Sequence, residues 1–67
     1  PQAFPAQLEA KLALALLKEK KLDDAKAQVE HMVAVTSGHA KEEAQEALEA
    51  MLKGDMEAAE RALTHIQ

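Results

Sequence analysis

The sequence predicts an all-α fold made of two antiparallel helical hairpins, and three observations carry that prediction. The 67 residues are 48% hydrophobic and 30% charged, and Ala, Leu, Glu and Lys dominate, which is typical of helices. Apolar residues recur at spacings of three and four in four separate segments. The apolar pattern of the first half also repeats in the second half, from Ala40 onward. Valine and isoleucine together number four and Phe4 is the one aromatic residue, which excludes a β-sandwich or β-barrel.

The first segment predicts a helix that begins near Pro5, because the missing N–H of proline costs nothing in a first helical turn. Two apolar stripes run along this helix, one with a spacing of four and one beside it: Leu8, Leu12 and Leu16, and Ala10, Leu14 and Leu17. A helix that is apolar on two sides packs against neighbours on two sides. We therefore expect both stripes to be covered.

Residues 18–21 form a polar break, and a second amphipathic helix follows them. Its apolar face repeats at spacings of three and four: Leu22, Ala25, Val29 and Met32. Asp23 and Asp24 lie in its first turn, where the helix dipole favours negative charge. The loop after it contains Gly38, which can adopt a positive φ, and Ser37, whose side chain can cap the next helix.

The third helix is expected to end at Gly54, and its apolar face is Ala44, Ala47, Leu48, Met51 and Leu52. Gly54 should take a positive φ just past the helix end, whereas Lys20 and Lys21 stand in the equivalent turn and are not expected to need one. Asp55 can cap the fourth helix. That helix has the apolar face Met56, Ala59, Leu63 and Ile66, and no stop signal interrupts it before Gln67.

When the sequence is aligned with itself so that Ala6 matches Ala40, residues of the same character coincide in all four predicted helices. We call this shift along the sequence the repeat offset. Identical pairs include Ala6 with Ala40, Glu9 with Glu43, Ala10 with Ala44, Ala13 with Ala47, Leu14 with Leu48, Ala25 with Ala59, and His31 with His65. Similar apolar pairs are Leu17 with Met51, Leu22 with Met56, Val29 with Leu63, and Met32 with Ile66. A chain of this length forms one domain, residues 1–67, and the repeat divides it into units of about 6–39 and 40–67.

A helix–turn–helix unit that recurs every ~34 residues resembles the tetratricopeptide repeat. The resemblance rests on small residues in the first helices, a Gly-Asp turn, and a small then a large apolar residue in the second helices: Ala13 and Ala47, Gly54 and Asp55, Ala25 and Val29, and Ala59 and Leu63. It implies a right-handed solenoid segment whose first helices line a concave groove for partner peptides. The chain departs from the family at Glu9 and Glu43, where tryptophan is usual, and at Ser37, which replaces a proline. A compact four-helix bundle is the alternative.

The resemblance implies an apolar partner groove along the first helices. Its candidate residues are Leu14, Leu17, Lys41, Ala44, Leu48, Met51 and Leu52, and Gln7, Ala10 and Lys11 stand along its edge. An apolar groove suits a partner helix or an apolar strand, so the expected function is protein–protein interaction as a scaffold or adaptor. The same residues can instead form the core. The alternative function is a homo-oligomerisation or structural domain that has no separate ligand.

Two units are fewer than the three or so that repeat arrays need before stacking buries enough apolar surface. The last apolar face has one hairpin to pack on rather than two. We therefore expect a symmetric homodimer, or further protein beyond Gln67. The expected dimer contact is Leu63, Ile66 and the stripe Leu48, Met51 and Leu52. The start at Pro1 rather than methionine also indicates a piece of a longer chain.

The net charge of −4 is unevenly distributed: residues 1–37 hold five bases and five acids, and residues 38–67 hold three bases and seven acids. Nucleic-acid binding is not expected, because it needs a basic face that this balance does not supply. Membrane insertion is not expected either, because the longest apolar run has six residues, Leu12 to Leu17, and a span needs about 20. With no targeting segment visible, a cytoplasmic location is expected over export.

Nothing in the sequence predicts an enzyme, a cofactor site or a metal site. His31 and His65 are expected to be solvated, and a small metal-responsive domain that uses this pair is a third hypothesis. General acid–base catalysis needs a carboxylate in an apolar pocket, but the acidic cluster lies on a polar face: Glu42, Glu43, Glu46 and Glu49. Gly38 and Gly54 are isolated, so no phosphate-binding loop is predicted.

Overall fold

The computed structural model describes residues 5–66 and consists of four α-helices joined by short turns. The helices are α1 (Ala6–Lys18), α2 (Leu22–Val35), α3 (Gly38–Leu52) and α4 (Met56–Thr64). No strand occurs between residues 5 and 66, so the prediction of an all-α fold with two helical hairpins is confirmed. None of these four helices is long and apolar enough to cross a membrane.

The α1–α2 turn and the α3–α4 turn use the same backbone hydrogen bonds at positions related by the repeat offset. In each turn two N–H groups donate to carbonyls of the preceding helix at 2.8–3.0 Å: Lys21 to Leu16 and Lys20 to Leu17, and Asp55 to Ala50 and Gly54 to Met51. This pair of bonds is the Schellman motif, in which the residue just past the helix C-cap adopts a left-handed conformation.

Lys20 and Gly54 hold the left-handed position, with φ of 64° and 83°. The prediction for Gly54 is confirmed, but the expectation that the lysine turn needs no left-handed residue is wrong. The left-handed conformation costs a residue with a Cβ about 1–2 kcal/mol. At Lys20 the two hydrogen bonds of the motif hold the chain in that conformation despite the steric cost.

The loop between the hairpins confirms one prediction and corrects another. Gly38 has a φ of 63°, as its position after the loop predicted. Ser37 precedes α3, but its side chain makes no capping hydrogen bond, so its predicted capping role is wrong. The hydroxyl of Thr36 instead donates to the carbonyl of Met32 at 2.6 Å and thereby closes the end of α2.

The sequence predicted the start of α4 correctly but not its end. The N–H of Ala58 donates to Asp55 Oδ1 at 3.1 Å, which confirms the predicted cap. The expectation that the helix continues to the end of the chain is wrong, because α4 ends at Thr64. Gln67 itself lies outside the described residues.

The core is built largely from alanines at the places where helices cross. The buried apolar residues are Ala10, Ala13, Leu17, Ala25, Val29, Met32, Ala44, Ala47, Met51, Ala59, Ala62, Leu63 and Ile66. Among them Ala13, Ala25, Ala47 and Ala59 are completely buried. Alanine at these four positions lets the helices approach closely, and a larger side chain there would overpack the core.

The helices pack so that each has two main neighbours. α1 packs against α2 and α4, and α3 also packs against α2 and α4. Leu63 and Ile66 of the last hairpin are 1% and 6% exposed, and Met51 is also buried. α1 packs beside Leu63 and Ile66 within one chain, so the expectation that these two residues lie open for a dimer is wrong. The other two residues of the expected contact, Leu48 and Leu52, are half-buried and 65% exposed.

Only one of the two apolar stripes of α1 lies in the core. Ala10 and Leu17 are buried, whereas Leu8 and Leu12 are each 51% exposed. The expectation that both stripes are covered is therefore wrong. The physical reason is that both neighbours of α1 pack on the side that carries Ala10 and Leu17.

Candidate functional site

The seven residues predicted to line a partner groove are divided between the core and the surface. Three of them are buried: Leu17, Ala44 and Met51. Leu14 and Leu48 are half-buried, and Lys41 and Leu52 are exposed. The main neighbours of α1 are α2 and α4.

A cleft of about 360 Å³ lies between α1 and α4. Its lining is Gln7, Ala10, Lys11 and Leu14 from α1, and Leu63, Thr64 and Ile66 from the end of the chain. The α1 wall consists of residues that the sequence placed in or beside the groove. The second wall comes from α4 and Ile66, which sequence reasoning did not place there.

The outer side of α1 exposes two leucines that were expected to be covered, Leu8 and Leu12. With Ala15 they lie on the side of α1 opposite the core, and we call this set of three the α1 outer face. Isolated surface leucines are ordinary, but two leucines at a spacing of four form a continuous apolar stripe. Large aliphatic side chains are scarce in the core, so two of them on the surface stand out. Between residues 5 and 66, the buried leucine, isoleucine and valine residues are Leu17, Val29, Leu63 and Ile66.

The internal repeat contains the signal that could have identified the α1 outer face. At the repeat offset, Leu8, Leu12 and Ala15 correspond to three glutamates of α3: Glu42, Glu46 and Glu49. All three glutamates are exposed. The repeat therefore indicates that the equivalent positions of α1 face solvent. Packing within the fold does not require leucine at these positions.

The open sides of α1 carry positive charge and no exposed carboxylate. The one acidic residue of α1 is Glu9, whose side chain is only 12% exposed and lies 3.4 Å from His31 Nε2. Lys11 and Lys18 of α1 are exposed. The carboxylate of Glu19, just past the helix end, is paired with Lys21 Nζ at 3.3 Å.

Two glutamate–histidine contacts recur at the repeat offset. Glu9 Oε2 lies 3.4 Å from His31 Nε2, and Glu43 Oε2 lies 3.5 Å from His65 Nδ1. Glu43 also lies 3.5 Å from His39 Nε2. The histidines are exposed, as expected, but they cover carboxylates that are themselves almost buried, so they contribute to the hairpin contacts as well as to the surface.

The acidic cluster of α3 perturbs one carboxyl group. Hydrogen bonding to the Glu43 carboxyl, together with the charge of that group, raises the pKa of Glu46. The Glu46 side chain is exposed and not enclosed by apolar residues. The hydrogen bond with Glu43 and the like charge of that carboxyl account for the shift. A hollow of about 210 Å³ between α3 and α4 lies beside this pair, and its lining is Glu43, Glu46, Ala58, Arg61, Ala62 and His65.

The predicted histidine pair does not come together. His31 contacts Glu9 of α1, whereas His65 contacts Glu43 of α3, which His39 also contacts. Within residues 5–66 no group of three or more histidine, aspartate or glutamate side chains is placed to hold a metal ion. No protein-family model matches the chain, and no curated protein or solved structure does so either.

Proposed function

We propose that this chain is a non-enzymatic protein–protein interaction module that binds a helix of a partner protein on the α1 outer face. The observation that carries the proposal is the contrast between equivalent surfaces of the two hairpins. Leu8 and Leu12 are each half exposed, whereas the repeat places glutamates at the same positions of α3. Solvent-facing leucines that packing does not require are typical of an interaction site.

The helix packing supports a closed four-helix bundle as the scaffold of this module. In a solenoid of the tetratricopeptide type, α1 would lie beside α3 along the groove. Here α1 packs against α4 and α3 packs against α2. If the first and second hairpins trade places, the α1–α4 contact becomes the α3–α2 contact. Such equivalent contacts are expected for two hairpins related by an approximate twofold axis.

The shape of the α1 outer face suits one helix. α1 has 13 residues and is therefore about 20 Å long, and its exposed leucines lie one turn apart. A single amphipathic helix can lie along such a strip with its own apolar residues at spacings of three and four. The cleft beside α1 can accept a further side chain of the same partner, since Lys11 borders both surfaces.

A second copy of the chain is the alternative occupant. A stable interface buries at least about 1,000 Å² in total. Leu8 and Leu12 are already about half covered within the chain, so two symmetric copies of this narrow face contribute little apolar area. A separate partner helix that also reaches the cleft gains more contact, and we therefore favour it over self-association.

The proposal can be tested by titrating the ¹⁵N-labelled chain with a neutral amphipathic helical peptide whose leucines repeat at spacings of three and four. Amide shifts should concentrate in α1, and the double substitution Leu8→Gln and Leu12→Gln should weaken binding at least tenfold. The matched control is Leu52→Gln with Val35→Gln, which removes two apolar residues elsewhere that are 65% and 58% exposed. This control should bind like the parent chain.

Two results would count against the proposal. If both double variants bind the peptide as the parent does, the α1 outer face is not the site. If sedimentation shows a dimer of the parent chain that the Leu8→Gln and Leu12→Gln substitutions dissociate, the face is covered by a second copy, and the module is a homo-oligomerisation domain.

A further inference from the structure

We infer that the partner helix is acidic along the edge of its apolar face, an inference that rests on the proposed function above. The observation is the arrangement of charge around the α1 outer face. Between Ala6 and Lys18, the exposed charged residues are two lysines, Lys11 and Lys18, and the one acid is the nearly buried Glu9. Within α1, the exposed charges that a bound partner helix meets are therefore positive.

The two lysines lie on one line along α1. Residues seven apart lie almost directly above one another on a helix, so Lys11 and Lys18 form one row. The row lies between the line of Leu8 and Ala15 on the outer face and the line that borders the α1–α4 cleft. A helix bound on the outer face therefore has this lysine row along one of its edges.

The turn after α1 is of mixed charge. Lys20 and Lys21 follow α1, Lys21 Nζ lies 3.3 Å from the Glu19 carboxylate, and the exposed Asp23 and Asp24 open α2. Carboxylates on the partner would therefore find their lysine ammonium groups in the row on α1 itself. Complementary charge of this kind contributes to the rate of association and to the choice of partner.

The equivalent surface of α3 makes the charge pattern selective. Its three glutamates at the positions of the α1 outer face repel an acidic helix. An acidic partner is therefore attracted to one side of the bundle and excluded from the corresponding side. The lysines and the exposed leucines of α1 therefore both favour the same partner, an acidic amphipathic helix.

An anionic membrane surface is the other ligand that leucine and lysine on one helix can recognise, and we favour the protein. The whole chain carries a net charge of −4, so anionic lipid repels it as a body. The α1 outer face also contains no Trp or Phe, the residues that anchor interfacial helices.

The test uses three synthetic helical peptides with identical leucine positions and glutamate, glutamine or lysine at the flanking positions. Calorimetric titration at about 0.02 M salt should give at least tenfold tighter binding for the glutamate peptide than for the glutamine peptide. The difference should shrink at about 0.3 M salt, where exposed charges are screened. Lys11→Glu with Lys18→Glu should reverse the order and favour the lysine peptide.

The matched control is Lys41→Glu with Lys53→Glu, which produces the same change in net charge within α3 and just past its end. It should keep the preference for the glutamate peptide. Equal binding of all three peptides would overturn the acidic-partner inference and leave the interaction function standing. Binding of none would overturn the function itself. Adsorption to phosphatidylserine vesicles, lost in the Lys11 and Lys18 variant while the glutamate peptide fails to bind, would assign the face to lipid instead.

Discussion

The two hairpins share one plan on the inside and differ on the outside. At the repeat offset the inner positions hold small residues opposite small ones and large apolar residues opposite large ones, as in Ala25 with Ala59 and Val29 with Leu63. The outer positions hold leucine on α1 and glutamate on α3. Packing restricts the inner positions, because close helix contact tolerates little change in volume. The outer positions are free of that restriction, so packing does not explain their divergence.

The two turns also share one backbone conformation although their residues differ. Lys20 and Gly54 adopt the same left-handed conformation within the same hydrogen-bonded motif, although only glycine does so without steric cost. The conformation thus follows from the geometry of the hairpin. The residue that occupies it decides only how much stability the conformation costs.

The largest effect that tests this comparison is expected at the alanine crossings. Ala25→Leu and Ala59→Leu should each lower the free energy of unfolding by about 1–3 kcal/mol, because both alanines are completely buried between helices. Urea denaturation followed by circular dichroism measures the loss. Ala27→Leu is the control, since Ala27 is exposed on α2. If one crossing tolerates leucine and the other does not, the two hairpins are not packed to one plan.

The turn substitutions should have smaller effects of opposite sign. Gly54→Lys should destabilise the chain by about 1–2 kcal/mol, because it places a Cβ in the left-handed region. Lys20→Gly should stabilise it by up to about 1 kcal/mol, because relief of the steric cost exceeds the added chain entropy. No atom lies within 4 Å of a Cβ added at Gly54, so the cost there is one of backbone conformation alone.

The control for the turns is the next lysine along the chain. Lys21 has a φ of −87°, so Lys21→Gly gains no steric relief and should destabilise the chain. The same thermal or urea measurement serves all three variants. A loss of stability in Lys20→Gly would mean that the lysine side chain contributes more to the turn than its backbone conformation costs.

Local chemistry determined what the sequence could predict. The four helices, the positive φ of Gly38 and Gly54, and the Asp55 cap depend on residues within a few positions of one another. The left-handed Lys20 was missed because lysine carries no signal for that conformation.

The packing of α1 could not be deduced from the pattern alone. Both stripes of α1 are rich in leucine or alanine, so periodicity does not say which of them faces inward. The contact between α1 and α4 joins the two ends of the chain, and no local signal encodes it. Because this contact was not foreseen, the sequence predicted that the apolar face of α4 would be open. The candidate groove was predicted along the first helices for the same reason.

Substitution of the α1 outer face should leave the fold almost unchanged. Leu8→Glu with Leu12→Glu makes α1 resemble α3, and each change should alter the free energy of unfolding by about 0.5 kcal/mol or less. Urea denaturation is the measurement, and Ala25→Leu gives the scale of a core perturbation. A loss comparable to that of Ala25→Leu would mean that these leucines serve the core, and the contrast between the outer faces would then carry no functional meaning.

The smallest effect concerns the acidic side of the comparison, at Glu46, the counterpart of Leu12. The pKa of Glu46 is raised in the folded chain by its hydrogen bond with Glu43 and by the charge of Glu43. A raised pKa means that the folded state holds the proton more tightly than the unfolded state, so this group favours folding at low pH and loses that contribution as the pH rises.

Glutamine imitates the protonated carboxyl at every pH. Glu46→Gln should therefore raise the melting temperature slightly at pH 7, and the gain should vanish below about pH 4, where the glutamate is itself protonated. Glu42→Gln removes the same charge one turn earlier, outside the contact between Glu43 and Glu46, and should give no gain of this kind. Melting curves by circular dichroism across that pH range distinguish the two variants. A gain at pH 7 would mean that the charge of Glu46 opposes folding. A loss at pH 7 would instead make Glu46 part of the packing, and the outer faces of α1 and α3 would then differ in their structural role as well as in their charge.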